Sequence, residues 1–242
     1  MTSHTVLRSR RSRALSLGLA SALTLGTLAF IAPTAAHAIP SVATGTISWG
    51  LKSSFRTYIL TGAAHGTITP TDPATDNGSQ TTFANASGSW KAAAANIAAQ
   101  GSVNFTGHDG VLDITIANPS IVVEDADAYL VVDATDSEGT GHPDLKVAEL
   151  DLTGAVAEDG YTVTIDRAAA TLTEEGEALF LYNGTAMYQA GEQLDPVSAS
   201  ISLVEPKVEV SRTAWLNDDV VAVTVTGSGF MPAKLKQKMF AC

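Results

Sequence analysis

The two residues of this chain best suited to metal chemistry are a tyrosine and a histidine from separate segments. Tyr58 stands among apolar neighbours near the end of the segment 48–59, and His108 stands in a tight polar turn, residues 107–110. A phenolic oxygen can bind a hard metal centre such as ferric iron, and an imidazole from another element can hydrogen-bond to that ligand. The pair therefore predicts a metal ligand and its hydrogen-bonding partner, provided that the fold brings them together.

Each of these residues also has an ordinary structural interpretation. A tyrosine on an amphipathic helix most often lies in a core or at its rim, and a histidine in a hairpin turn is most often solvated. Hydrolysis is a further alternative, with Asp109 and Asp113 as acid and base near His108. No Gly-x-Ser-x-Gly motif or metal-binding helix accompanies them, and scattered aspartates are expected in a chain this acidic.

The elements that must position these residues are one helix and many strands. Ser48 is a plausible N-cap, and Gly62 a natural helix end. Apolar residues recur between them at helical spacing: Leu51, Phe55, Tyr58 and Ile59. Residues 90–100 fit either a short helix or a strand, whereas apolar and polar residues alternate from residue 101 onward. We therefore predict a mainly β fold, an antiparallel β-sandwich with one or two short helices.

The first 38 residues have the features of an export signal. Four arginines precede an apolar run, residues 14–31, and residues 36–38 form a small-x-small cleavage site. We predict a cleavable signal peptide at residues 1–38 and a secreted or cell-envelope location. The chain has one cysteine, Cys242, so the exported domain must rely on a hydrophobic core rather than on internal disulfides.

The part that follows the predicted signal is strongly acidic. All 25 acidic residues follow residue 39, and residues 39–233 contain seven Lys and Arg, which gives a formal charge of 7 − 25 = −18. Such a surface disfavours binding to nucleic acids and to anionic membranes. We therefore expect no nucleic-acid partner.

A second unit is predicted after Pro206. Residues 220–232 have the alternation and turn of an opening immunoglobulin-like strand, and residues 233–242 differ in character. A single strand cannot bury its apolar face. We interpret residues 206–242 as the truncated start of such a domain with an aberrant tail, and expect no C-terminal anchor in this chain.

Three ordered motifs resemble those of the HtaA-domain haem-binding family of Gram-positive envelope proteins. The first comprises Trp49, Gly50, Lys52, Ser54, Phe55, Arg56 and Tyr58. The second comprises residues 101–108 with Gly110, Leu112, Asp113, Asn118 and Pro119. The third comprises residues 188–191 and 194–196. Met187 departs from the family, which commonly has an aromatic residue there. We define residues 39–205 as the HtaA-like domain.

The resemblance implies a β-sandwich that holds one ferric haem b. Tyr58 matches the iron ligand of the family, and His108 matches the histidine that hydrogen-bonds to this ligand. Tyr188 matches a third haem-contacting position, and Ser54 falls where it could hydrogen-bond a propionate. An anionic oxygen ligand favours ferric over ferrous iron, which suits storage or transfer rather than redox cycling.

The implied function is capture of ferric haem and its relay for uptake as an iron source, without catalysis. The expected partners are haem, a donor haemoprotein or sister surface haem protein, and the haem-binding protein of a membrane importer. The alternative is a carbohydrate- or surface-binding adhesion module. In that case Trp49, Trp90 and Trp215 would stack on sugars.

Overall fold

The computed structural model describes residues 39–182, 184–210 and 225–228. The predicted signal peptide, residues 1–38, lies outside the described residues. So does most of the predicted second unit, of which only a two-stranded ladder after residue 206 is described. Within the described parts of the chain, no helix has both the length and the apolar character needed to cross a membrane.

Most of the described chain is β-structure. The strands in chain order are β1 (Val42–Trp49), β2 (Thr67–Thr71), β3 (Thr75–Asp76), β4 (Thr81–Ser89), β5 (Ala94–Gln100), β6 (Ser102–Gly107), β7 (Leu112–Glu124), β8 (Asp127–Thr135), β9 (Gly141–Asp151), β10 (Val156–Asp159), β11 (Thr162–Leu172), β12 (Leu181–Tyr182), β13 (Thr185–Ala186), β14 (Gln193–Leu203), β15 (Lys207–Val210) and β16 (Val225–Ser228). The α-helix α1 is Ser53–Thr61, and 3₁₀ helices span His108–Gly110 and Glu175–Phe180.

Eight of the strands form a closed antiparallel ring. They pair in the order β7–β5–β4–β1–β14–β11–β9–β8, and β8 pairs back with β7. The predicted mainly β fold with short helices is confirmed. The strands close into one barrel, however, rather than packing as the two separate sheets of a sandwich. Alternation along each strand reports which face is buried but not which strand is its neighbour, so the closure could not be predicted from the pattern.

Strand β7 closes the ring through its second half, residues 120–124, which pairs with both β5 and β8, and the strand changes phase before that half. Its first half buries Leu112, Ile114 and Ile116, whereas its second half buries Ile121 and Val123. The register slips between residues 117 and 120, as in a β-bulge. The first half pairs with β6 and the second half with β5, while β8 runs along the other side. One strand thereby joins the β2–β6 pair to the barrel.

The helix α1 begins later than the sequence predicts. Ser48 lies in β1, where its hydroxyl bonds that of Thr82, so its prediction as the N-cap is wrong. The backbone N–H of Ser53 instead donates to Asp195 Oδ1 at 2.9 Å, a cap supplied by β14 from across the sheet. Gly62 ends the helix as predicted. Residues distant in sequence thus decide where the helix starts.

A buried ion pair fixes α1 to the end of β3. Arg56 Nη2 donates to Asp76 Oδ1 and Oδ2 at 2.7 and 2.6 Å, and the two side chains are 3% and 9% exposed. Burial acts to raise the pKa of Asp76, but hydrogen bonds from Thr81, Arg56 and the Gly78 N–H outweigh it and lower this pKa. The pair holds the helix in one position on the barrel.

We expect Asp76→Asn to lower the free energy of unfolding by about 3 kcal/mol, because it leaves the buried Arg56 guanidinium without its counter-charge. Urea denaturation followed by tryptophan fluorescence measures this loss. The pKa of Asp76 is lower in the folded protein than in the unfolded chain. Its contribution to stability is therefore present at pH values above the ordinary pKa of aspartate, and it is lost as the pH falls through the pKa of the folded protein. The difference in free energy of unfolding between Asp76→Asn and the wild type should therefore become smaller at acidic pH.

The matched control is Asp127→Asn, at an exposed position of β8. This change should alter the free energy of unfolding by less than about 0.5 kcal/mol. Equal losses in the two variants would contradict a specific role for the Arg56–Asp76 pair.

Candidate functional site

The fold brings Tyr58 and His108 together. Tyr58 lies on α1, and His108 opens the 3₁₀ helix after β6, where its backbone N–H donates to Ala64 O at 2.7 Å. The Tyr58 hydroxyl and His108 Nε2 are hydrogen-bonded, and the ring centroids are 5.6 Å apart at an interplanar angle of 51°. The two residues therefore form the pair that their types predict.

Local backbone geometry aims the histidine at the helix. His108 and Asp109 have φ values of 51° and 54°, in the left-handed region that non-glycine residues seldom adopt. Gly107 precedes them, and a Cβ there would lie 3.0 Å from Ala64 Cβ. A glycine thus allows this turn to pack tightly against the segment that follows α1.

Tyr58 and His108 line a cavity of about 350 Å³, here named the Tyr58 cleft. The other lining residues are Val111, Leu112, Ser137, Tyr182 and Met187. Large apolar side chains are unusually open here, since Val111 is 51% exposed and Tyr182 and Met187 are each 45% exposed. Exposed apolar residues around a concavity are typical of a binding site for an apolar ligand.

Tyr188 and Ser54 form a second pair beside this cleft. The Tyr188 ring packs edge-on against Phe180 and Phe55, with centroids 4.8 and 6.3 Å apart. Burial raises the pKa of Tyr188, and the nearby charges of Glu192 and Tyr58 raise it further, whereas a hydrogen bond with Ser54 lowers it. Neither Tyr188 nor Ser54 is among the described residues that line the Tyr58 cleft. The four predicted site residues thus lie as two adjacent pairs.

Three residues of the cleft belong to none of the three sequence motifs and were not predicted as site residues. Ser137 and Tyr182 come from a strand connection and a short hairpin far along the chain. Val111 had one available signal, because it is an apolar residue at the end of a polar turn. In the structure it is exposed at the rim of the Tyr58 cleft.

The tryptophans considered for sugar stacking belong to the core where the structure describes them. Trp49 and Trp90 are each 2% exposed. Their Nε1 atoms donate to Asp195 O at 2.9 Å and to Glu158 Oε1 at 2.6 Å. Trp215 lies outside the described residues. The described part of the chain therefore offers neither Trp49 nor Trp90 as an exposed stacking platform.

Comparisons with known proteins identify the family. The HtaA model, described as Htaa, matches residues 44–200, and the chain belongs to this family. The matched range lies inside the predicted domain, residues 39–205. A search of curated proteins found no match.

Solved structures with a similar fold come from Corynebacterium glutamicum. The C-terminal and N-terminal domains of HtaA each share 29% identity over 68% of this chain and 99% of the domain, with TM-scores of 0.59 and 0.58. The haem-binding protein HtaB shares 21% identity over 68% of this chain and 95% of its own, with a TM-score of 0.50. At that identity the likeness to HtaB shows the fold alone.

We expect Ser54→Ala to raise the pKa of Tyr188. The serine hydroxyl stabilises the phenolate form by a hydrogen bond, and the variant lacks this hydroxyl. A pH titration of the Tyr188 ¹³Cζ resonance, assigned with Tyr188→Phe, measures the change. Ser53→Ala alters the neighbouring exposed serine of α1 and should leave the titration as it is in the wild type. If the pKa of Tyr188 were the same in Ser54→Ala as in the wild type, the hydrogen bond between Ser54 and Tyr188 would be contradicted.

Proposed function

We propose that this protein binds ferric haem in the Tyr58 cleft as cargo, without catalysing a reaction on it. The observation that carries the proposal is a partly exposed tyrosine hydroxyl, hydrogen-bonded to a histidine, in the wall of an open apolar cleft. A porphyrin needs wide apolar surface for its faces and a ligand atom for its iron. The residues of the cleft fit both needs.

Tyr58 is the proposed iron ligand. When bound, ferric iron is a Lewis acid that stabilises a phenolate oxygen, as bound metal ions deprotonate other ligands. His108 Nε2–H can donate to that oxygen, and so sets how much negative charge the oxygen retains. The hydrogen bond also holds the Tyr58 ring in one orientation. Ligand and orienting partner thus come from α1 and from the 3₁₀ helix after β6.

The remaining cleft residues supply surface. Met187 offers a flexible, polarisable side chain in place of an aromatic ring, and it can adapt to a porphyrin face. Val111 and Tyr182 offer further apolar area that is open to solvent in this structure. Tyr188 and Ser54 lie next to the cleft, and we propose them as additional haem contacts, Ser54 towards a propionate.

The openness of the cleft supports transfer rather than permanent retention. An exposed porphyrin edge can be reached by a second protein, so the proposed role is relay of haem for uptake as an iron source. The proposed partners are a donor haemoprotein or sister surface haem protein and the haem-binding protein of a membrane importer. HtaB, which shares the fold, is a haem-binding protein. The proposed location is outside the cytoplasmic membrane, on the strength of residues 1–38.

Titration with hemin tests the ligand. Wild-type protein should develop a Soret band at one equivalent, and Tyr58→Phe should lose most of it because phenylalanine has no oxygen to bind iron. Tyr161→Phe removes a hydroxyl from another exposed tyrosine and should bind hemin as the wild type does. A Tyr58→Phe spectrum identical to that of the wild type would exclude Tyr58 as the ligand.

His108→Ala tests the orienting partner. We expect hemin affinity to fall by about 10- to 100-fold, the range for loss of a group that hydrogen-bonds a metal ligand. The Soret and charge-transfer bands should shift because the phenolate loses its hydrogen bond. Unchanged affinity and unchanged bands would show that His108 has no influence on the ligand.

A further inference from the structure

The connection between β8 and β9, residues 136–140, is organised around a buried carboxylate. Asp136 is 3% exposed, and its Oδ1 accepts the backbone N–H groups of Glu138 and Thr140, each at 2.9 Å. Its Oδ2 bonds His142 Nε2 at 2.8 Å. The His142 side chain is 18% exposed. A buried carboxylate with three partners fixes the connection firmly.

The protonation preference of Asp136 agrees with this geometry. Burial alone would raise its pKa, but hydrogen bonds from His142 and from the Thr140 and Glu138 N–H groups outweigh burial and lower the pKa. The carboxylate form, which is the form that accepts all three hydrogen bonds, is therefore the one that the fold stabilises.

The same connection reaches both walls of the Tyr58 cleft. Ser137 lines the cleft, and its Oγ accepts the backbone N–H of Asp113, next to the lining residue Leu112. Glu138 Oε1 accepts the N–H of Gly184 at 3.3 Å, in the β12–β13 hairpin that carries Tyr182. The connection thus bridges the wall that begins β7 and the wall formed by the hairpin. The Glu138 bond is exposed and weak by itself, so the bridge depends on how firmly its base is held.

We propose that Asp136 and His142 are positioning residues of the cleft, which hold the β8–β9 connection so that both walls stay at the separation a porphyrin requires. Neither residue is among the described residues that line the cleft, and both act through Ser137 and Glu138. This inference rests on the proposed haem-binding function, but its structural part, the coupling of the connection to the hairpin, does not.

Hydrogen exchange on the haem-free protein tests the structural part. His142→Ala should reduce the protection of the Glu138 and Thr140 amides and also that of the Gly184 amide. His142→Gln, whose amide N–H can donate to Asp136, should restore the protection. Asp151→Asn is a matched control, because Asp151 accepts the Thr153 N–H in a connection that shares no residue with the cleft. Loss of protection at 138 and 140 without any change at 184 would overturn the bridge.

Hemin titration of the same variants tests the positioning role. His142→Ala should bind hemin about 10-fold more weakly, the lower end of the range for an orienting group. Its Soret and charge-transfer bands should match those of the wild type, because Tyr58 and His108 are intact. His142→Gln should recover the affinity. If His142→Ala lost amide protection but kept the hemin affinity of the wild type, the role of these residues in binding would be overturned. If the wild type itself did not bind hemin, the proposed function would be refuted, but the hydrogen-exchange result would still stand.

Discussion

The position of α1 on the barrel is the constraint on which the rest of the site depends. A nine-residue helix is too short to be stable alone in water, so its packing must hold it. Phe55 and Ile59 bury one face completely, and Arg56 ties the helix to Asp76 within the core boundary. With these residues directed inward, Tyr58 falls at the edge of the buried face, and its hydroxyl reaches the cleft. The ion pair and the aromatic contacts therefore determine where the phenol points.

The second residue of the pair, His108, is positioned by strand β6 rather than by α1. β6 pairs with β2 on one side and with the first half of β7 on the other, and its end delivers His108 beside the segment after α1. The left-handed backbone at His108 and Asp109 turns the imidazole towards the helix. Neither arrangement requires haem, because the core and the sheet hold both. The cleft is thus largely formed before any ligand enters, which limits the ordering cost of binding.

Local patterns in the sequence predicted the helix and the strand-rich fold, and the resemblance to the HtaA family selected the Tyr58–His108 pair. They failed where a residue depends on a distant partner. Ser48 fits an N-cap locally, but pairing with β4 and β14 extends β1 through it, and Asp195 provides the cap instead. Ring closure depends on the pairing of β7 with both β5 and β8, which alternation cannot reveal. The hydrogen bond between Asp136 and His142 likewise has no signal in the alternation of apolar and polar residues.

The strand β6 is attached to the barrel less extensively than the ring strands are attached to one another, and this affects how the protein unfolds locally. The eight ring strands pair with strands on both sides and form a continuous cycle, whereas the β2–β6 pair shares its strand pairing with that cycle through the first half of β7. Partial opening can therefore detach this pair while the cycle remains intact. Such an opening would carry the imidazole away from the phenol and would expose Val103 and Phe105, which are buried in the closed structure. Warming would then abolish the binding competence of this protein at a lower temperature than that at which its overall architecture melts.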